Sequence, residues 1–194
     1  MNTNPRTVAL LAALGGAVPF GLVLALAILA AALGIPGPPD ANDGSDACIG
    51  KITPGTTLDG QALDAEQITD AGLIVAAGQH FGIPEPGETI ALATAMQESG
   101  LHNLDHGDRD SLGLFQQRPA QGWGTTSQIM DPTYSATSFY KALTNVNGWA
   151  AMPTTDAAQA VQHSAYPQAY AKWDQFAHDL ATTLDGTCVG SQCR

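Results

Sequence analysis

Residues 86–100 read PGETIALATAMQESG, and the fold turns on how this stretch is buried. Between Glu88 and Glu98 there is no charge, and Ile90, Leu92, Met96 and the alanines fall on every side of a 3.6-residue spiral. A helix that is apolar all round belongs inside a domain rather than on its surface. Gly100 stops it, which leaves Glu98 at the C-terminal end of a buried helix. Thr94 and Ala95, about one turn back, are small and leave space beside the carboxylate. A low dielectric and the negative end of the helix dipole both disfavour the charged form. A carboxylic acid held protonated near neutrality suits a general acid that protonates a leaving oxygen. The competing reading is an ordinary last-turn Glu facing solvent.

The flanking segments read as further helices. Asp64 is an N-cap with Gln67 three residues on, and Leu63 with Ile68 forms a hydrophobic staple, so a helix runs to about Phe81 and stops at Gly82. Asp131-Pro132 opens another, carrying Phe139, Tyr140, Leu143 and Val146. A fourth is expected over 156–164. The last follows Pro167, with Ala169, Trp173, Phe176, Leu180 and Leu184 on one stripe. No run of alternating Val, Ile or Thr marks a strand. The soluble part is therefore expected to be a compact all-α domain.

The front of the chain is different. Residues 1–7 carry Arg6, and from Val8 to Ile35 there is no charged residue. Such a helix would reach about 42 Å, beyond the roughly 30 Å hydrocarbon core. Residues 8–35 read as a transmembrane anchor, with a cleaved signal sequence ending near Ala30-Ala31-Ala32 as the alternative. Arg6 before the run and Asp40, Asp43 and Asp46 after it orient the remainder outside the cell membrane. Cleavage would make the protein secreted. Residues 36–47, rich in Pro, Gly, Asp and Asn, form a linker, and 48–194 are the domain.

Of 194 residues, 7 are basic and 18 acidic, a formal charge of −11. That excludes the basic footprint a nucleic-acid partner needs. Cys48 stands at the start of the domain, Cys188 and Cys193 at its end. A Cys48–Cys188 disulfide would tie the ends together, Cys48–Cys193 and Cys188–Cys193 being the other pairings. Without a second close-spaced Cys or His pair, zinc is not expected. Nothing in the sequence calls for a cofactor.

Downstream of Glu98-Ser99 come Ser111 and Gly113-Leu114-Phe115-Gln116. Then follow Gln117-Arg118-Pro119 and Gln121-Gly122-Trp123-Gly124, and later Ala160-Val161-Gln162-His163-Ser164-Ala165-Tyr166-Pro167. This set resembles the lysozyme-like lytic transglycosylases, especially the domain of exported actinobacterial cell-wall proteins, over roughly residues 58–184. The resemblance implies a lysozyme-like fold and cleavage of the β-1,4 bond from N-acetylmuramic acid to N-acetylglucosamine in peptidoglycan. It implies that Glu98 is the acid and then the base. Ser111, Gln116 and Gln117 would lie along the sugar-binding cleft. The family's Ala-Tyr-Asn is not present as such; Ser164-Ala165-Tyr166 or Ala169-Tyr170 stands in its place, so Tyr166 and Tyr170 are both candidates. A lytic transglycosylase needs one carboxylate, whereas a hydrolytic muramidase normally needs a second. A glycan-binding module without turnover is the non-enzymatic alternative.

The remaining polar residues have plainer readings beside the functional ones. Asp108 or Asp110 is the candidate second carboxylate; the plainer reading has Asp105, Asp108 and Asp110 capping backbone N–H groups or pairing with Arg109 and Arg118. An EF-hand loop aligned at Asp108 would need Glu at the position of Pro119, so calcium of that type is excluded. His102 and His106 lack an HExxH context and read as surface or hydrogen-bonding groups. A Ser-His-Asp hydrolase lacks G-x-S-x-G and its sheet. Trp123, among glycines, is either a platform for sugar or a core residue; Trp149 and Trp173 read as core.

Overall fold

The computed structural model describes residues 52–185. The expected anchor at 8–35, the linker at 36–47 and all three cysteines lie outside the described residues. Among the described residues no helix is long and apolar enough to cross a membrane.

The described part is mostly helical, as expected. A two-residue antiparallel pair, β1 (Thr57–Leu58) and β2 (Gln61–Ala62), precedes α1 (Ala65–Phe81). α2 (Glu85–Ser99) follows, and after a long loop come α3 (Thr126–Ile129), α4 (Pro132–Thr144), α5 (Thr154–Gln162) and α6 (Asp174–Leu184). The start of α1 is the predicted capping box. Asp64 accepts from the Gln67 N–H and Gln67 Oε1 accepts from the Asp64 N–H, each at 2.9 Å. Asp131 caps α4 by accepting from the Thr133 and Tyr134 N–H groups.

α2 is the axis of the domain. Residues 87–96 are all buried, and the helix packs against α1, α4, α5 and α6. The absence of a polar face in the sequence follows directly, because every side meets another helix. One carboxylate is drawn in with it. Glu88 is only 3% exposed, and its Cγ lies 3.2 Å from where a side chain on Gly78 would begin. Gly78 also meets Tyr140 Oη at 2.9 Å by the same construction, so only glycine lets α1 pass this close. Tyr140 is fully buried and donates its hydroxyl to the Ile74 carbonyl at 3.1 Å.

Two boundaries differ from expectation. α5 begins at Thr154 rather than Asp156, because the Pro153 carbonyl already accepts from the Asp156 and Ala157 N–H groups. It ends at Gln162, with His163 left-handed. The last helix starts at Asp174, after a 3₁₀ turn over Ala171–Trp173, and not directly after Pro167. The Thr155 hydroxyl takes the Pro167 carbonyl at 2.7 Å, and Gln159 Nε2 takes the Ser164 carbonyl at 2.9 Å. Segment 163–170 is thus pinned to α5 as a turn. Trp149 and Trp173 are half-buried against the core rather than inside it.

Candidate active site

The end of α2 carries the site. Gly100 closes the helix in a left-handed conformation, its N–H bonding back to Ala95 and Met96. Ser99 Oγ lies 2.8 Å from the Leu114 carbonyl and 3.0 Å from the Ala95 carbonyl, so one hydroxyl ties the helix end to the loop beyond. That loop is built from Gly113-Leu114-Phe115-Gln116. Leu112 and Gln117 close it with reciprocal backbone bonds of 2.9 and 3.0 Å. Gly113 sits at φ 74°, and a Cβ there would come within 2.8 Å of the Ile129 carbonyl, so the turn accepts no other residue without a shift. Phe115 anchors the loop in the core, stacked on Phe139 with ring centroids 4.7 Å apart.

Glu98 is half-buried beside this loop. Tyr170, fully buried, donates its hydroxyl to Glu98 Oε1 at 2.7 Å across 72 residues of sequence. Burial raises the Glu98 proton affinity above the usual carboxylate range, and the Tyr170 hydroxyl and the Gln162 amide offset part of it. The Tyr170 phenol is in turn pushed well up, first by burial and then by the bond to Glu98, so it remains a donor at any relevant pH. Next to Glu98, Gln97 Oε1 accepts from Trp173 Nε1 at 2.9 Å, which fixes the last turn of α2 on the other side. Beyond Gln162 opens a groove of about 560 Å³ lined by Gln121, Trp123, Asn145, Val146, Gln162 and His163 among others. A smaller hollow of about 280 Å³ lies at the opposite end of α2, around Glu85 and His178, away from the acid.

The other expected site residues separate into three groups. Tyr170 meets the acid, while Tyr166 is 76% exposed on the pinned turn. Trp123 is half-buried, packed against the core on one side and lining the groove on the other, so both readings of it hold in part. Ser111 is buried, and Gln116 is left-handed at φ 47° with Nε2 at 3.3 Å from the His106 and Gly113 carbonyls. Gln116 therefore braces the Asp/His-rich segment against the loop. Gln117 is a correction. It is 1% exposed, and its amide donates to the Ser135 carbonyl at 3.1 Å, so it belongs to the interior and cannot contact a sugar in the cleft.

The aspartates behave as loop groups. Asp110 pairs with Arg118 and accepts from the Ala120 N–H at 2.8 Å; that backbone bond first, and Arg118 second, hold its carboxyl below the usual range. Asp108 is exposed, 3.9 Å from Arg109, and Asp105 pairs with His106 at 2.9 Å. His102 meets Asp64 at 3.0 Å. Among the described residues no group of three or more His, Cys, Asp or Glu is arranged to hold a metal ion. Gln162 had no assigned role in the sequence; its place in the Ala160–Pro167 run was the only signal. No protein-family model matches the chain, and no curated protein matches it either.

Proposed function

We propose that the domain is a lysozyme-like lytic transglycosylase that cleaves the β-1,4 bond between N-acetylmuramic acid and N-acetylglucosamine in peptidoglycan. The observation that carries this reading is the pair formed by Glu98 and Tyr170. A half-buried acid ends a helix that is buried over residues 87–96 and takes one phenolic hydrogen bond on Oε1. Elsewhere on the domain Gln121, Trp123 and Gln162 line a groove of about 560 Å³. With Oε1 engaged by Tyr170, Oε2 is the oxygen that carries the transferable proton. Glu98 gives that proton to the glycosidic oxygen as the C1–O bond breaks. The resulting carboxylate, stabilised by Tyr170, then takes the proton of the muramoyl 6-hydroxyl while O6 closes on C1. The product is a 1,6-anhydro end, and Glu98 is protonated again.

The placement of the two candidate second carboxylates favours this over hydrolysis. Asp110 is committed to Arg118 and the Ala120 N–H, and Asp108 is on the surface. An inverting or retaining hydrolase would place a second carboxylate across the bond. In this reading the apolar segment 8–35 keeps the domain at the outer face of the cell membrane, where its glycan substrate lies.

The experiment uses the full chain in mild detergent with purified peptidoglycan, and mass spectrometry of the released fragments. Anhydro-muramoyl ends from the wild type and none from Glu98→Gln are expected. Reducing ends would identify a muramidase instead. Equal release by both proteins would sink the assignment of the acid, and cell-wall binding with no release would leave a glycan-binding module.

A further inference from the structure

We propose that Trp173 is a positioning residue of the acid. Its indole N–H docks the turn that carries Tyr170 onto the helix that carries Glu98, and so sets the Tyr170 hydroxyl against the carboxyl. The inference rests on the functional reading above and adds a residue to it. Trp173 Nε1 donates to Gln97 Oε1 at 2.9 Å, and Tyr170 donates to Glu98 Oε1 at 2.7 Å. Two neighbouring residues at the end of α2 are thus held by two residues of one short turn.

The spacing within that turn joins the two bonds. Tyr170 stands at the head of the 3₁₀ turn Ala171–Trp173, and the Trp173 N–H returns to the Tyr170 carbonyl at 3.0 Å. Side chains three apart in a 3₁₀ turn eclipse one another, so residues 170 and 173 project to the same side. Their targets, Gln97 and Glu98, lie about 100° apart around α2, so the pair of bonds resists both sliding and rolling of the turn. The indole is itself immobilised. It packs edge-on against the fully buried Phe176, ring centroids 6.1 Å apart, with the Lys172 ammonium 4.8 Å from the ring centroid. On the other side of Tyr170, Thr155 takes the Pro167 carbonyl and Gln159 the Ser164 carbonyl. Tyr170 is therefore pinned to α5 before it and to the acid's own helix after it. A slip of about 1 Å at the turn would take its hydroxyl out of hydrogen-bond range of Glu98.

Burial raises the Glu98 proton affinity and the Tyr170 hydroxyl opposes it. A turn released from Gln97 loses part of that opposition, so Glu98 keeps its proton to higher pH. A general acid works while protonated, and the basic limb of the pH–rate profile follows that proton. Trp173→Phe keeps a ring against Phe176 and drops the N–H; Gln97→Met keeps length and drops the acceptor. Each is expected to lower kcat about 3- to 10-fold, with KM within about twofold of the wild type. Each should also move the basic limb upward, the direction expected of Tyr170→Phe. In a Tyr170→Phe background neither should add more than about a twofold loss, because the bond they serve is already gone.

The test uses the full chain in detergent, with anhydro-product formation followed from acid to alkaline pH for each variant, alone and combined with Tyr170→Phe. A carbon-13 carboxyl titration of Glu98, identified by difference from Glu98→Gln, reads the same group without turnover. Non-additive losses and an upward-shifted Glu98 titration support the proposal. Losses that multiply with that of Tyr170→Phe, with the Glu98 titration unmoved, overturn it and leave Trp173 a packing residue. Should one variant not fold, the other, made from the opposite side of the same bond, decides. A wild type that releases no anhydro ends would remove the functional reading, and the titration alone would then decide whether Trp173 acts on Glu98.

Discussion

Glu88 provides the sharpest test of the packing described above. The carboxyl is 3% exposed, and its pKa is raised from 4.5 to about 7, first by burial and then by the like charges of Asp185 and Glu85. Because the folded state binds this proton more tightly than the unfolded chain, the penalty is absent below the unfolded value of 4.5. It grows through the window up to about 7 and is fully present above it. Each tenfold change in proton affinity is worth about 1.4 kcal/mol, so the ionised Glu88 costs on the order of 3 kcal/mol at pH 8. Glu88→Gln mimics the protonated acid and should remove that cost. The variant is expected to match the wild type within about 1 kcal/mol at pH 4.5 and to exceed it by about 2–3 kcal/mol at pH 8. Urea unfolding of the full chain in detergent, followed by tryptophan fluorescence, measures both proteins at each pH. The difference between them is the readout, because Asp70 is also buried and raised to about 6 and adds its own slope to both proteins. A wild-type and variant difference that does not change between pH 4.5 and 8 would refute the reasoning. So would a variant less stable than the wild type at pH 8.

Three further outcomes follow from the site. Tyr170→Phe removes the hydroxyl that holds Glu98; a hydrogen bond to a charged group contributes about 1.5–3 kcal/mol, so kcat is expected to fall about 10- to 100-fold with the fold intact by circular dichroism. Gln117→Ala removes the buried hydrogen bond to the Ser135 carbonyl, which keeps its place in the α4 ladder, and should cost about 0.5–1.5 kcal/mol in urea unfolding, with KM for glycan unchanged in the folded fraction. Asp110→Asn is expected to keep turnover and anhydro products under the same assay, since its carboxyl serves Arg118 and Ala120; loss of turnover with folding preserved would reopen a second-carboxylate mechanism.

Local rules carried the reading of the helices where the interactions themselves are local. The capping box at Asp64 and Gln67 and the cap at Asp131 each depend on atoms within four residues, and both stand as expected. The apolar surface of α2 was legible for the same reason: periodicity reports how many sides are covered. What covers them is not local. Glu88 looks like a first-turn carboxylate facing water until α1 closes over it at Gly78, and Gln117 reads as a cleft residue until the packing of α4 puts its amide on the Ser135 carbonyl. The start of α6 moved because the Thr155 hydroxyl and the Gln159 amide, residues of another helix, take the Pro167 and Ser164 carbonyls. The choice between Tyr166 and Tyr170 likewise depended on which one that pinned turn aims at Glu98.

Phe115 has a consequence for how the protein fails as it is heated. Loops that form binding sites often open on their own, well below the temperature at which the domain melts. Here the Gly113–Gln116 loop has the Phe115 side chain stacked on Phe139, the Phe115 carbonyl taken by Gln162 and the neighbouring Leu114 carbonyl taken by Ser99. The loop cannot leave without dismantling the core that α4 and α2 share. Its backbone amides should exchange with solvent only as slowly as those of the central helix, and catalysis should vanish in the same thermal transition as the tertiary signal, with no intact but inactive state between them.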